Sequence, residues 1–332
     1  MPAIKKASLP LIDISGFIEG DSESQRRAGK KVVDACQDEG FFYVYGHGID
    51  QQLFVNAREQ ALEIFHSPAS VKSAVHISRF PHHRGYGGHN EVTPDPEKGG
   101  DIREAFKVAW DLPEDDPDYL AGITMYGPNV WPQELPQFEE SVYAVYLAYQ
   151  ALAENIFGLF ATGLGLPRDY FRPMTHKPAS IMNVNYYPET EPGDGNQASG
   201  VGAHSDYEAF AMLWQDDVGG LQIESPLGEW EEVEPVDDAL VINIGDLMQH
   251  WTNDRFRATR HRVVNISGRE RVSFACFGNT SYHARIECIP ACCDADNPAK
   301  YAPVTAGNYL MDAVKRTYAY AQDDNPNQTL ET

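Results

Sequence analysis

Two residues in the stretch GAHSDYEAFAMLWQDD carry the first chemistry of this chain, His204 and Asp206. Successive side chains of an extended strand alternate faces, so an imidazole at 204 and a carboxylate at 206 project the same way. They form one edge of a metal site. A third ligand is available at His261, in RATRHRVVN, far enough along the chain for several strands to intervene and return it to the same place. Two imidazoles and one carboxylate leave the opposite face of an ion open, an arrangement suited to a non-haem Fe(II) that takes up further ligands. A single histidine of a β-rich chain is more often a satisfied structural residue, but the order and spacing of all three argue for a site.

Arg271 and Ser273, in RERVSFACF, again share one face of a strand. A guanidinium fork beside a hydroxyl is a receptor for a carboxylate. Taken with PLIDISGF, FFYVYGHGI, RGYGG, NVNYYP, QDDVGGLQI and INIGDLMQHWTN, these motifs resemble the Fe(II)/2-oxoglutarate-dependent dioxygenases of the isopenicillin N synthase-like group over most of the chain. The resemblance implies Fe(II) held by His204, Asp206 and His261, with 2-oxoglutarate and O2 as co-substrates. It implies that Arg271 and Ser273 bind the distal carboxylate of 2-oxoglutarate, that Tyr187 adds a hydroxyl to it, and that Asn185 lies near the metal-bound end. It also brings the RGY and DIREAF segments close to the site, making Tyr86 and Phe106 candidate substrate contacts. Tyr207, Phe277 and Asn279 adjoin the motifs and are further candidates, with ordinary core packing as the alternative for each.

The expected reaction is oxidation of a small organic metabolite, hydroxylation first, with release of succinate and CO2. Desaturation, ring closure or ring rearrangement are reachable by the same oxidant. A Zn(II) hydrolase using the same three ligands with Glu208 as general base, and a non-catalytic jelly-roll binding protein, are the rivals; the hydrolase gives Arg271 no role, and neither explains all five positions. Asp246 and His250 look like a second ligand pair but fall in a segment expected to be a strand end and turn.

These residues need a scaffold. From Ser180 the chain breaks into short β-rich runs separated by turns such as EPGDGN and SPLGEW, the texture of a sandwich or closed barrel. The resemblance sharpens this to a double-stranded β-helix, or jelly roll, so the fold class expected is mainly β with a helical N-terminal scaffold. Upstream, the spacing predicts helices over Ser22 to Asp38, Gln51 to Phe65 and Gln137 to Gly163, and a buried strand over Phe41 to Val44. Ser78 to Gly100, with His82, His83 and His89, reads as a pocket-lining loop, and Asp111 to Pro136 as a surface connection. A last helix is expected from Gly307 to Tyr320, before a polar tail. The chain divides into 1–175 as scaffold, 176–285 as catalytic core and 286–332 as C-terminal loop, helix and tail, all parts of one fold.

Composition narrows the partners. The 332 residues hold 26 Lys and Arg against 49 Asp and Glu, a net charge of −23, which disfavours nucleic acid and anionic membrane surfaces. No apolar run is long enough to span a bilayer, and the N-terminus lacks the apolar core of a signal peptide. Five cysteines without a dense framework point to free thiols and a cytoplasmic setting. No phosphate-cradling glycine loop and no G-x-S-x-G elbow is present, which leaves nucleotide and serine-hydrolase chemistry unsupported.

Overall fold

The computed structural model describes residues 4–89, 101–189 and 199–317. Its strands, in chain order, are β1 (Lys5–Lys6), β2 (Leu11–Asp13), β3 (Phe41–Tyr45), β4 (Gly85–Gly87), β5 (Glu104–Ala109), β6 (Ile181–Tyr187) and β7 (Ser199–His204). They continue as β8 (Phe210–Gln215), β9 (Leu221–Glu224), β10 (Trp230–Val233), β11 (Leu240–Ile244), β12 (His261–Asn265) and β13 (Arg271–Gly278). Two large sheets result, one of five strands in the order β1-β10-β9-β12-β7 and one of eight in the order β2-β3-β11-β8-β13-β6-β5-β4, and a small third pairs β14 (Arg285–Ile286) with β15 (Val304–Thr305). This is the jelly-roll sandwich, mainly β with helices in the N-terminal part. Strands β2 to β5 come from that N-terminal part and extend both flanks of the larger sheet.

Strand parity divides the larger sheet into two faces. On β13, Val272, Phe274 and Cys276 point outward into a core shared with the helices, while Arg271, Ser273, Ala275 and Phe277 line a cavity between the sheets. On β6, Met182, Val184 and Tyr186 point outward, and Asn183, Asn185 and Tyr187 inward. A second, smaller core fills the closed end of the sandwich, with Phe41, Tyr43, Leu221, Ile223, Val233, Val241 and Val263. Apolar packing thus closes one end of the sandwich and leaves the other as a pocket.

Helices cover the outer face. Ser22–Asp38 starts at Asp21, whose side chain accepts from the backbone N–H groups of Glu23 and Ser24. It ends before Gly40, whose positive φ of 67° and close approach to the Arg257 carbonyl admit no side chain. The long helix Pro136–Gly163 crosses it at a pair of glycines: a Cβ on Gly163 would meet the Gly29 carbonyl oxygen at 2.2 Å. Tyr149 of the long helix donates to the Phe274 carbonyl at 3.1 Å and accepts from the Trp214 N–H at 2.9 Å, pinning the helix to β13 and β8.

Two expectations change, and parts of others fall outside the described residues. The 111–136 connection is not confined to the surface, because Leu112, Met125 and Tyr126 are buried against Ile181 and Leu310, and Pro117–Leu120 is a helical turn. Asp246 to Trp251 is a short helix rather than a strand end and turn: Gly245 bends the chain so that the Asp246 N–H donates to the Asp206 carbonyl. The last helix spans Ala306–Thr317; its expected continuation to Tyr320, the polar tail, the EPGDGN turn and the end of the 78–100 loop lie outside the described residues. Among the described residues, no helix is long and apolar enough to cross a membrane, and the five cysteines are free thiols.

Candidate active site

His204 closes β7 and stands directly opposite His261, which opens β12. Asp206 follows two residues beyond the strand end, and the ligand atoms of the three lie within 4.8 Å of one another. Among the described residues no other group of three metal-ligating side chains converges in this way. Both Nε2 atoms face the same carboxylate oxygen, Oδ1 of Asp206, at 3.5 Å from His204 and 3.6 Å from His261.

The atoms behind this triangle fix its aim. Nδ1 of His204 is 2.8 Å from the Gly202 carbonyl and Nδ1 of His261 is 3.1 Å from the Thr259 carbonyl. A carbonyl accepts only, so each Nδ1 carries the proton and each Nε2 turns a lone pair inward, as a metal ligand requires. Asn243, on β11, donates its side-chain amide to Oδ2 of Asp206 at 2.6 Å. One oxygen of the carboxylate is thereby held and the other left to face the histidines. The donor set fits an Fe(II) bound on one face.

Charge in the site follows from burial and from Asp206. Burial disfavours the charged form of His204, but the hydrogen bond and charge of Asp206 outweigh it and raise the pKa above the usual imidazole value. His261 goes the other way, down to about 4, because burial dominates over the same carboxylate. Burial opposes ionisation of Asp206 too, yet the two histidines and Asn243 bring it down to about 2. Glu208 lines the cavity as well, and burial followed by the charge of Asp206 pushes it up to about 8.

Across the cavity, Arg271 pairs in register with Tyr187 and Ser273 with Asn185. Arg271 is fully buried. Its guanidinium donates to the Gly219 carbonyl, to Ser273 Oγ at 3.2 Å and to Gln215 Oε1 at 3.0 Å, and lies 4.7 Å from the centroid of the Tyr187 ring. These are all neutral groups. A buried cation supported by neutral acceptors in the wall of a cavity is a receptor for an anion. Asn185 also lines the cavity and accepts from Arg103.

The substrate candidates divide by parity. Tyr207 and Phe277 line the cavity. Tyr86 and Phe106 do not: they are cross-strand partners on β4 and β5, and both point outward to the helices. Phe106 packs edge-on against Phe138 at 4.8 Å between ring centroids, and the Tyr86 hydroxyl bonds to Glu104. Asn279 is buried beyond the end of β13, where its side chain accepts from the Thr280 N–H and closes a turn. The cavity instead receives Lys107, Met125 and Leu310, which lie outside those motifs, together with Arg103 of DIREAF and Asn183 of NVNYYP, none of them among the candidates above. The signal for Lys107 was available: it sits one residue from Phe106, on the face opposite it.

Comparison with known proteins bears on the same regions. Residues 9–134 match the family described as non-haem dioxygenase in morphine synthesis, N-terminal, and residues 178–280 match the 2OG-Fe(II) oxygenase superfamily. A 2-oxoglutarate-Fe(II) type oxidoreductase, hxnY, of Emericella nidulans is 32% identical, covering 94% of this chain and 91% of the relative. Homoarginine-6-hydroxylase 2-ODD-233 of Oryza sativa subsp. japonica is 32% identical, covering 92% of this chain and 96% of the relative. Among solved structures, a full-length Neurospora crassa protein in complex with alpha-KG and thymine superposes with a TM-score of 0.80 at 29% identity, covering 93% of this chain and 96% of that one.

Proposed function

The chain belongs to the 2OG-Fe(II) oxygenase superfamily, and from that premise we propose that His204, Asp206 and His261 hold its Fe(II) and that Arg271, Ser273, Tyr187 and Asn185 receive 2-oxoglutarate. The protein is an Fe(II)- and 2-oxoglutarate-dependent dioxygenase that oxidises a small organic molecule. The observation that carries the residue assignment is the convergence of two inward-facing Nε2 atoms on one oxygen of Asp206, in a cavity that also holds the buried guanidinium of Arg271.

When bound, iron and 2-oxoglutarate supply an oxidant from O2, with succinate and CO2 released. The chain's own residues do the placing. The Gly202 and Thr259 carbonyls fix the histidine tautomers, Asn243 restrains Asp206, and Arg271 sets the far end of the co-substrate so that its reactive end meets the metal. Apolar residues close the end of the sandwich behind Arg271, which keeps bulk water from that side. Hydroxylation of an unactivated C–H bond is the outcome we favour, because it needs no second site on the substrate. Relatives that act on homoarginine or bind thymine support a small polar substrate. The order of motifs supports the isopenicillin N synthase-like group, and the free thiols support a cytoplasmic setting.

The test is succinate release from 2-oxoglutarate by anaerobically Fe(II)-loaded protein exposed to O2. Succinate that requires Fe(II) and O2, is lost in His204→Ala, and needs about a hundredfold more 2-oxoglutarate in Arg271→Ala is the expected result. Oxygen-independent hydrolysis supported by Zn(II), with no succinate, would overturn the assignment.

A further inference from the structure

The cavity wall remote from Arg271 is cationic too, and a role for it rests on the assignment of Arg271 to 2-oxoglutarate. Lys107 on β5 lies opposite Asn183 of β6, and Asn183 lies opposite Ala275 of β13. Arg271 is further back along β13. From strand rise and strand spacing, the Cα atoms of Lys107 and Arg271 are roughly 16 Å apart on one face of the sheet. A five-carbon diacid held between Arg271 and the iron ligands occupies the Arg271 end. The Lys107 end is left for the substrate.

Lys107 is only 4% exposed, and its Nζ lies 2.7 Å from Nε2 of His83. Burial above all, then the charges of Lys107 and Arg84, hold His83 well below the usual imidazole range, so it accepts as a neutral ring. An ammonium has three donors, so it can serve the imidazole and a ligand oxygen together. His83 itself sits at a φ of 55°, a left-handed conformation that residues other than glycine seldom adopt and that recurs where a side chain must be aimed. Arg103, the other cation on this wall, lies 3.3 Å from Asp101 and donates to Asn185, which ties it to the framework. Ile181, Phe277 and Leu310 add apolar side chains to this end, and Glu208, which the charge of Lys107 reaches, lines the same cavity.

We propose that Lys107, aimed by His83, is a specificity-determining residue that anchors a carboxylate of the substrate, so that the enzyme acts on a small organic acid. An ammonium beside apolar side chains is a strong receptor for one anionic group. The carboxylate directs the carbon to be oxidised toward the iron while the co-substrate holds the opposite end.

Calorimetric titration of the Fe(II)- and 2-oxoglutarate-loaded protein, without O2, with benzoate and benzamide and with phenylacetate and phenylacetamide tests this. Wild type is expected to bind at least one acid tenfold to a hundredfold more tightly than its amide, on the order of one charge-assisted hydrogen bond. Lys107→Arg keeps that preference, and Lys107→Gln loses it while binding 2-oxoglutarate as wild type does. Equal binding of acid and amide by wild type, no binding of either acid, or a preference that survives in Lys107→Gln overturns the anchor. If Lys107 served Glu208 alone, its replacement would leave discrimination unchanged. Wild type that fails to bind 2-oxoglutarate, or Arg271→Ala that binds it equally well, would instead refute the underlying reading of the site, and the anchor falls with it.

Discussion

At the scale of single residues, the three proposed ligands differ in how readily they take up a proton. Asp206, brought down to about 2, and His261, at about 4, are deprotonated there, whereas the pKa of His204 is raised by Asp206. Metal and proton compete for Nε2 of His204. A raised pKa means that the protonated form of His204 persists to higher pH and gains occupancy as pH falls, so Fe(II) affinity falls with pH. We expect apparent affinity to drop about tenfold per pH unit once pH is below the His204 pKa, with one proton released per metal bound. Anaerobic calorimetry from about pH 8 to about pH 6, in buffers of different ionisation enthalpy, measures both quantities. A pH-independent affinity, or release of two protons, would contradict this account of the site.

At the scale of strands, one residue of parity separates a core side chain from a cavity side chain. Phe106→Ala should cost about 3 to 5 kcal/mol of stability, by removing a ring packed against Phe138 and Trp131, and leave 2-oxoglutarate binding by the folded fraction unchanged. Thermal unfolding alongside ligand titration separates the two effects; a selective loss of binding would put the ring in the site after all. This parity was hidden in the sequence for a physical reason. All six residues of β5 and all seven of β6 are buried, because one face meets the helices and the other the cavity, and a strand covered on both faces loses the polar-apolar alternation that marks its orientation. The His204, Asp206 and His261 set and the Arg271 and Ser273 pair were legible because motif order identifies them without knowledge of the faces. The helices Ser22–Asp38 and Gln51–Phe65 were legible because they have one dry face and one wet face. Asn243 was not: it is brought to Asp206 by the pairing of β11 with β8 and by the turn at Gly245, and nothing local to it signals that contact.

At the scale of the molecule, the residues proposed as catalytic core do not contain a whole sheet. In the eight-stranded sheet β11 is covered by β3 and β6 by β5, both from the N-terminal part. A fragment of residues 176–285 would expose two long strand edges and the outward faces of β6, β8 and β13. Expressed alone, it should aggregate or melt without a cooperative transition, as followed by calorimetry and near-ultraviolet circular dichroism. A sharp transition in the fragment would show that the core folds unaided. The excess of acidic residues does not weaken the anion sites, because Arg271 and Lys107 are buried and the surface carboxylates are screened by salt. The pairing of β3 with β11 also has a bearing on how the protein is made. Phe42 faces Ile242, so although β3 can pair early with β2, its other edge has no partner until most of the polypeptide has followed it. Contacts this remote in sequence close slowly, and the unpaired hydrophobic edge is at risk of aggregation meanwhile. Asn243 arrives on that same late strand and His261 follows it, so the proposed iron site cannot be complete until more than three quarters of the chain has been made.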